Sequence, residues 1–207
     1  MEKTDIQNIY FENEEVRTNK DPYIDYFNVI NNVLGIDSLD GFCDVGCSTG
    51  FLLEKTSIEF PNNRLLGIDF FQYQKDNCPE RIRDNFLVHD MREPVTIPEK
   101  FDIVNCTELA EHIDKTHVDV LIENLKTLSS KYIILTWSKH GGVYDIEHDP
   151  HCQHLNPLEY NEYLNLMRSF GLEKNEMITE KLLIESKQYD NFSWWWAESI
   201  VVWEKIK

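Results

Sequence analysis

The chain has 207 residues, enough for one sizeable core and too few for two ordinary domains, and its 42% hydrophobic content supplies the material for that core. A formal net charge of -17 repels phosphate backbones, and the densest basic stretch, around Arg81 and Arg83, is broken by Asp84, so a nucleic-acid partner is disfavoured. Five scattered cysteines read as reduced thiols, the N-terminal residues lack a secretory pattern, and no apolar run is long enough to span a membrane, so a soluble, cytoplasmic protein is expected.

Asp21-Pro22 followed by Ile24, Phe27, Ile30 and Leu34, with Gly35 as a stop, reads as a helix with one apolar face, part of an N-terminal cover over residues 1–40. From residue 41 onward strands alternate with helical patterns. Strands are expected at 41–46, 64–69, 86–90, 101–106 and 132–137, and helices at 51–58 and 118–128. After a further helix at about 157–170, the segments 182–185 and 195–203 read as two strands joined by a polar turn at 188–191. This order implies an α/β fold, one Rossmann-like domain over residues 41–207: a seven-stranded, mostly parallel sheet with helices on both faces, closed by an antiparallel hairpin. Such sheets bind ligands at the carboxyl ends of their strands.

The loop Asp44-Val45-Gly46-Cys47-Ser48-Thr49-Gly50 joins the first sheet strand to its helix, where glycines admit a ligand close to the backbone. A dinucleotide loop needs glycine where Ser48 stands, which weakens an NAD reading. The second strand ends at Asp69, placed to accept bonds from two ribose hydroxyls. The third ends at Asp90-Met91, a carboxylate for an exocyclic amine beside an apolar side chain for a purine, and the fourth at Asn105. Phe70 and Phe71 beside Asp69 suit either adenine contact or packing.

From about Phe42 to Phe170 the chain resembles the class I, Rossmann-like S-adenosylmethionine-dependent methyltransferases, with Asp44 to Gly50 matching their D-x-G-x-x-x-G signature. The resemblance implies that Asp44, Gly46, Cys47, Ser48 and Gly50 hold the methionine part of S-adenosylmethionine and that Asp69, with Phe70 beside it, holds the ribose. Asp90 and the Met91 backbone would take the adenine, and Asn105 would flank the sulfonium.

The sulfonium makes the methyl group reactive, so the protein must align an acceptor, exclude water and, for a hydroxyl, provide a base or a metal ion. Glu108, Glu111 and His112, at i, i+3 and i+4, would share one face of a helical turn in chelating geometry. They resemble the E-x-x-E-H element of ubiquinone-pathway O-methyltransferases and small-RNA 2'-O-methyltransferases, which implies a divalent ion, magnesium or zinc, with His154 as the later ligand. The same residues can cap the turn without metal. His112, His154, Glu111 or His140 could then serve catalysis directly, and His148, His151 and His154 with Cys152 could form a separate zinc site. The His-rich segment 138–157 reads as a lid, and Trp194, Trp195, Trp196 and Trp203 suit ring stacking or core packing.

Methyl transfer from S-adenosylmethionine to an oxygen of a small sugar or phenolic acceptor is the expected function. The alternatives are RNA-terminal 2'-O-methylation, which the net charge opposes, and a catalytically inactive cofactor-binding partner subunit.

Overall fold

The structure, a computed structural model, describes residues 21–140, 142–143, 153–192 and 194–206, with the backbone alone at 142, 143, 153, 194 and 195. In chain order, α1 (Asp21–Leu34) leads to β1 (Phe42–Val45), α2 (Phe51–Glu59), β2 (Leu65–Asp69), α3 (Gln72–Asp76), β3 (Phe86–Val88), β4 (Phe101–Cys106), α4 (Val118–Leu128) and β5 (Ser129–Leu135). Two short strands, β6 (Gly142–Val143) and β7 (Gln153–His154), pair with each other. The chain ends with α5 (Tyr160–Ser169), β8 (Leu172–Lys174), α6 (Glu176–Ser186), α7 (Trp194–Ser199) and β9 (Val201–Lys205).

The main sheet has seven strands in the order β3-β2-β1-β4-β5-β9-β8. Strands β1 to β5 pair in parallel, and β9 runs antiparallel to both β5 and β8. Every residue of β1 and β4 is buried, as expected where helices cover both faces. Alternation along each strand sorts side chains to the two layers. Ile133 and Leu135 of β5 join α4 and α5 in one core, whereas Ile134 joins α1, α2 and α6 in the other. The chain runs outward from β1 to β3 and then returns to β4 on the other side of β1. A crevice therefore opens at the carboxyl ends of β1 and β4, where the register sets Asp44 opposite Asn105.

The tail departs from the sequence-based expectation. The antiparallel pair exists, but residues 182–185 lie in α6 and residues 194–199 form α7, so the pair is β8 with β9, linked through two helices. Leu182-Leu183-Ile184 reads as a strand because it is short and apolar. Its burial, however, is helical, with Ile178, Thr179, Leu182 and Ser186 turned inward while the Asn175 side chain caps the start by accepting from the Ile178 amide at 2.9 Å. In α1 the buried face is Tyr26, Phe27, Val29 and Ile30, and Ile24 is exposed, so the face is rotated from the expected one. Strand β3 ends at Val88, two residues early, because Asp90 turns back to its own loop; β5 spans 129–135 instead of 132–137, and α5 begins at Tyr160. Trp203 lies in the core, donating from Nε1 to the Tyr163 hydroxyl at 2.7 Å, and Trp196 is buried. The side chains of Trp194 and Trp195, like His148, His151 and Cys152, lie outside the described residues.

After β3 the chain crosses the sheet edge without regular structure, and one buried side chain holds it. Asn124 of α4 donates to the carbonyls of Met91 (3.1 Å) and Glu93 (2.8 Å) and accepts from the Val95 amide (2.8 Å). Replacing Asn124 by alanine strands these buried groups, so Asn124→Ala is expected to cost about 2–3 kcal/mol and lower the thermal midpoint by about 5–10 °C, measured by calorimetry.

Candidate cofactor and active site

The loop after β1 is shaped by three left-handed residues, Gly46 (φ 77°), Ser48 (φ 52°) and Gly50 (φ 82°). A Cβ at Gly50 would come within 2.4 Å of Ile82 Cδ1, so the loop packs closely against its support. Cys47 faces the other way, buried against Gly67. Asp69, at the end of β2, accepts from the Ser48 amide at 2.9 Å and from the Phe71 amide at 3.1 Å, so the loop and the neighbouring strand end are fastened through one carboxylate. Burial raises Asp69 to about 6 against the pull of these amides.

Asp44 is 5% exposed at the end of β1. The fully buried Asn105 donates from Nδ2 to Asp44 at 2.8 Å and accepts at Oδ1 from the Tyr26 hydroxyl of α1 at 2.7 Å. Burial raises Asp44 to about 7, with the Asn105 bond pulling down and the Asp69 charge pushing up. Asp90 is engaged by Arg92, whose guanidinium spans both carboxylate oxygens at 2.7–3.2 Å and lies 5.4 Å from the Phe70 ring centroid. Burial alone would raise Asp90, but the Arg92 bonds dominate and hold it below the usual carboxylate range. The Met91 side chain packs in the core.

Beyond β4, Glu108 adopts φ 55°, so the helical face expected of Glu108, Glu111 and His112 does not form; only residues 110–112 make a tight turn. Glu108 instead exchanges bonds with Thr136 at the end of β5, its amide donating to Oγ1 at 2.9 Å and its Oε1 accepting from Oγ1 at 3.2 Å. Glu111 points elsewhere and is fully buried. Among the described residues, no side chain or other residue's amide meets either of its carboxylate oxygens. Burial, and then the Glu108 charge, raises it to about 8.

The structure brings Glu111, His112 and His154 together, one ligand atom of each lying within 4.8 Å of the others. The two imidazoles meet edge to face with centroids 5.0 Å apart. β7 delivers His154, and the Asn156 amide ties the following residues to the Glu111 carbonyl at 3.0 Å. His154 Nδ1 lies 2.5 Å from the His140 carbonyl, which makes Nδ1 the donor and puts the lone pair of the neutral ring on Nε2. His140 itself faces Glu198 at 3.8 Å, away from this group. Sequence reasoning did not find Tyr26, Thr136 or Arg92. Of these only Arg92 carried a local signal, its two-residue spacing from Asp90.

A doubly wound α/β frame with a glycine-containing loop at its switch point and an acid on the next strand is the Rossmann-like arrangement, in which ligands bind at the carboxyl ends of the strands. Residues 42–131 match the family model described as a methyltransferase domain. The fold is similar to that of the plantazolicin methyltransferase BpumL, solved with S-adenosylhomocysteine and a pentazolic substrate analogue (TM-score 0.67, 16% identity, 99% of this chain and 92% of that one). It is also similar to a methyltransferase from Clostridium acetobutylicum (0.60, 13%, 82% and 88%) and to an O-methyltransferase from a polyketide synthase of Brevibacillus brevis (0.63, 15%, 97% and 77%). No curated protein sequence matches the chain. Residues 42–131 thus match a methyltransferase domain, and the fold of the described residues is similar to that of Rossmann-like S-adenosylmethionine-dependent methyltransferases. Among the described residues no helix is long and apolar enough to cross a membrane.

Among the described residues four carboxyls, Asp44, Asp69, Glu108 and Glu111, have raised proton affinity and make stability depend on pH. Asp44, Asp69 and Glu111 bind protons more tightly folded than unfolded, so their contribution is complete below about pH 4 and declines as pH rises toward 6 to 8. The ligand-free protein is therefore expected to melt at a higher temperature at pH 6 than at pH 8.5. Glu111→Gln should flatten that slope and raise the midpoint at the higher pH, as read by differential scanning fluorimetry with chelator present.

Proposed function

We propose that the chain transfers a methyl group from S-adenosylmethionine to an oxygen of a small-molecule acceptor, with the group Glu111, His112 and His154 acting on the acceptor's proton. The observation that carries the reading is the meeting of two imidazoles with a fully buried carboxyl at the carboxyl ends of β4 and β5, beyond the loop that fits a cofactor.

The residues present fit S-adenosylmethionine. Gly46 and Gly50 give the loop its left-handed turns, Asp69 keeps lone pairs beyond its amide bonds for ribose hydroxyls, and Asp44, held by Asn105, offers a carboxylate to the cationic methionine end. Asp90 and the Met91 backbone, with Phe70 and Arg92 beside them, border the place for adenine. When bound, the cofactor supplies an electrophilic methyl group on its sulfonium. The protein's own work is then alignment, exclusion of water and removal of one proton. His154, with Nδ1 directed at the His140 carbonyl, presents Nε2 as the accepting atom, and Glu111 stabilises the imidazolium that results.

A second reading is favoured by the unmet Glu111 oxygens. Glu111, His112 and His154 would hold a divalent ion, two nitrogens and one oxygen suiting zinc better than magnesium, and the ion would supply Lewis acidity to the acceptor hydroxyl. An RNA terminus is opposed by the net charge of -17, and a cofactor-binding subunit without turnover remains the competing class.

Calorimetric titration with S-adenosylhomocysteine tests the cofactor. Wild type is expected to bind, and Asp69→Ala to lose about 10- to 100-fold in affinity through the missing charged acceptor. Failure of wild type to bind overturns the enzyme reading. With labelled S-adenosylmethionine and a panel of phenols and sugars, His154→Ala is expected to lower kcat about 10²- to 10⁴-fold while leaving S-adenosylhomocysteine affinity unchanged. Chelator that abolishes wild-type turnover, restored by zinc, selects the metal variant; turnover untouched by chelator selects the base.

A further inference from the structure

The match to the methyltransferase family begins at residue 42, yet a buried polar chain enters the cofactor crevice from helix α1, which lies before it. Tyr26 is 1% exposed and its hydroxyl donates to Asn105 Oδ1 at 2.7 Å; Asn105 Nδ2 donates to Asp44 Oδ1 at 2.8 Å and reaches Thr107 Oγ1 at 3.4 Å. An asparagine amide has one donating and one accepting end, and nothing in the strand backbone decides which end faces Asp44. Asp44, which only accepts when ionised, selects the N–H end, and the Tyr26 hydroxyl anchors the carbonyl end, so two partners together hold one orientation. With that hydroxyl removed, the fully buried Asn105 carbonyl loses its only donor among these contacts and the amide is held from one end alone, so its N–H is aimed at Asp44 less firmly.

The ring that carries the hydroxyl is itself held. It meets Trp196 edge-on at 4.8 Å and stacks on Phe192 at 5.8 Å, and neighbouring Tyr23 contacts Phe51 at 5.7 Å and Trp196 at 6.0 Å. Farther along, α1 is fastened by Asn32, which donates to Glu185 at 2.8 Å and to the Tyr189 hydroxyl at 2.9 Å. The polar chain is thus attached to a braced helix.

We propose that Tyr26 is a positioning residue for the cofactor: it fixes the Asn105 amide with its N–H toward Asp44 and so sets the affinity of the site for the ligand's cationic amino-acid end. This rests on the cofactor reading above. The ligand part addressed is specific, because Asp44 and Asn105 lie at the β1–β4 switch point whereas Asp69 lies one strand away at the ribose end.

The test compares two ligands by calorimetry on the full chain: S-adenosylhomocysteine, and 5'-methylthioadenosine, which keeps the nucleoside and lacks the amino-acid end. Tyr26→Phe is expected to weaken S-adenosylhomocysteine about tenfold, the loss of roughly one hydrogen bond acting on a charged group, while changing 5'-methylthioadenosine by about twofold at most. Loosening of the helix alone would move both ligands together. Asn32→Ala, which releases the outer end of α1 and has no path to Asp44, is expected to leave the ratio of the two affinities unchanged. Equal weakening of both ligands by Tyr26→Phe, or weakening of neither, overturns the proposal although the cofactor reading stands. If wild type binds neither ligand, the cofactor reading itself falls.

Discussion

A carboxylate buried at the centre of the sheet is the constraint around which the site is arranged. Asp44 sits at the end of a strand whose four residues are all buried, and taking its charge out of water carries a large cost unless donors replace the solvent. The fold supplies one donor from the adjacent strand end, Asn105, and braces that donor with the Tyr26 hydroxyl of a covering helix. Even so, the carboxyl remains raised to about 7, so the native structure leaves Asp44 under-compensated. A ligand that brings positive charge to this point relieves that deficit, and binding energy is concentrated where the deficit lies.

Its two ends differ in how far the protein satisfies itself. At the end proposed for the cofactor, Asp69 has backbone donors at Ser48, Phe70 and Phe71 and Asp44 has an amide, so these groups are held in fixed positions. At the acceptor end, Glu108 finds Thr136, but Glu111 is fully buried with neither oxygen met by another residue among those described. A buried carboxyl in that condition holds its proton, or it waits for a cation: imidazolium or a metal ion. The two imidazoles beside it are the groups through which either outcome would act, which is why base and metal readings share the same three side chains.

Much of this was legible in the sequence, and the part that was not has physical reasons. Glycines at 46 and 50, acids at 44 and 69 and the apolar runs of β1, β2 and β4 are signals of local backbone conformation and strand termini, and local signals survive without a structure. The tail failed because Leu182-Leu183-Ile184 satisfies a strand pattern and a helix pattern equally over three residues; the Asn175 cap seven residues earlier decides between them. Glu108 failed differently. Its spacing to Glu111 and His112 is helical, but a left-handed backbone at Glu108 breaks the face, and nothing about glutamate announces a positive φ. His154 meeting Glu111 follows from resemblance, because the 42 residues between them carry no periodicity that would bring them together.

Tyr26 shows why a covering helix hides function from sequence. On a helix whose inner face is otherwise Phe27, Val29 and Ile30, a tyrosine counts as one more large apolar surface, and most of it is: its ring packs on Trp196 and Phe192. Only the hydroxyl carries information, and its partner is 79 residues away in the chain. The strand ends provide groups that could bind many charged ligands, and their donor and acceptor pattern is completed from outside the sheet. An element that joins both packing and polarity in this way cannot be loosened without altering the carboxylate beneath it. The selectivity proposed for the cofactor's amino-acid end is therefore one that the helix and the sheet would supply together.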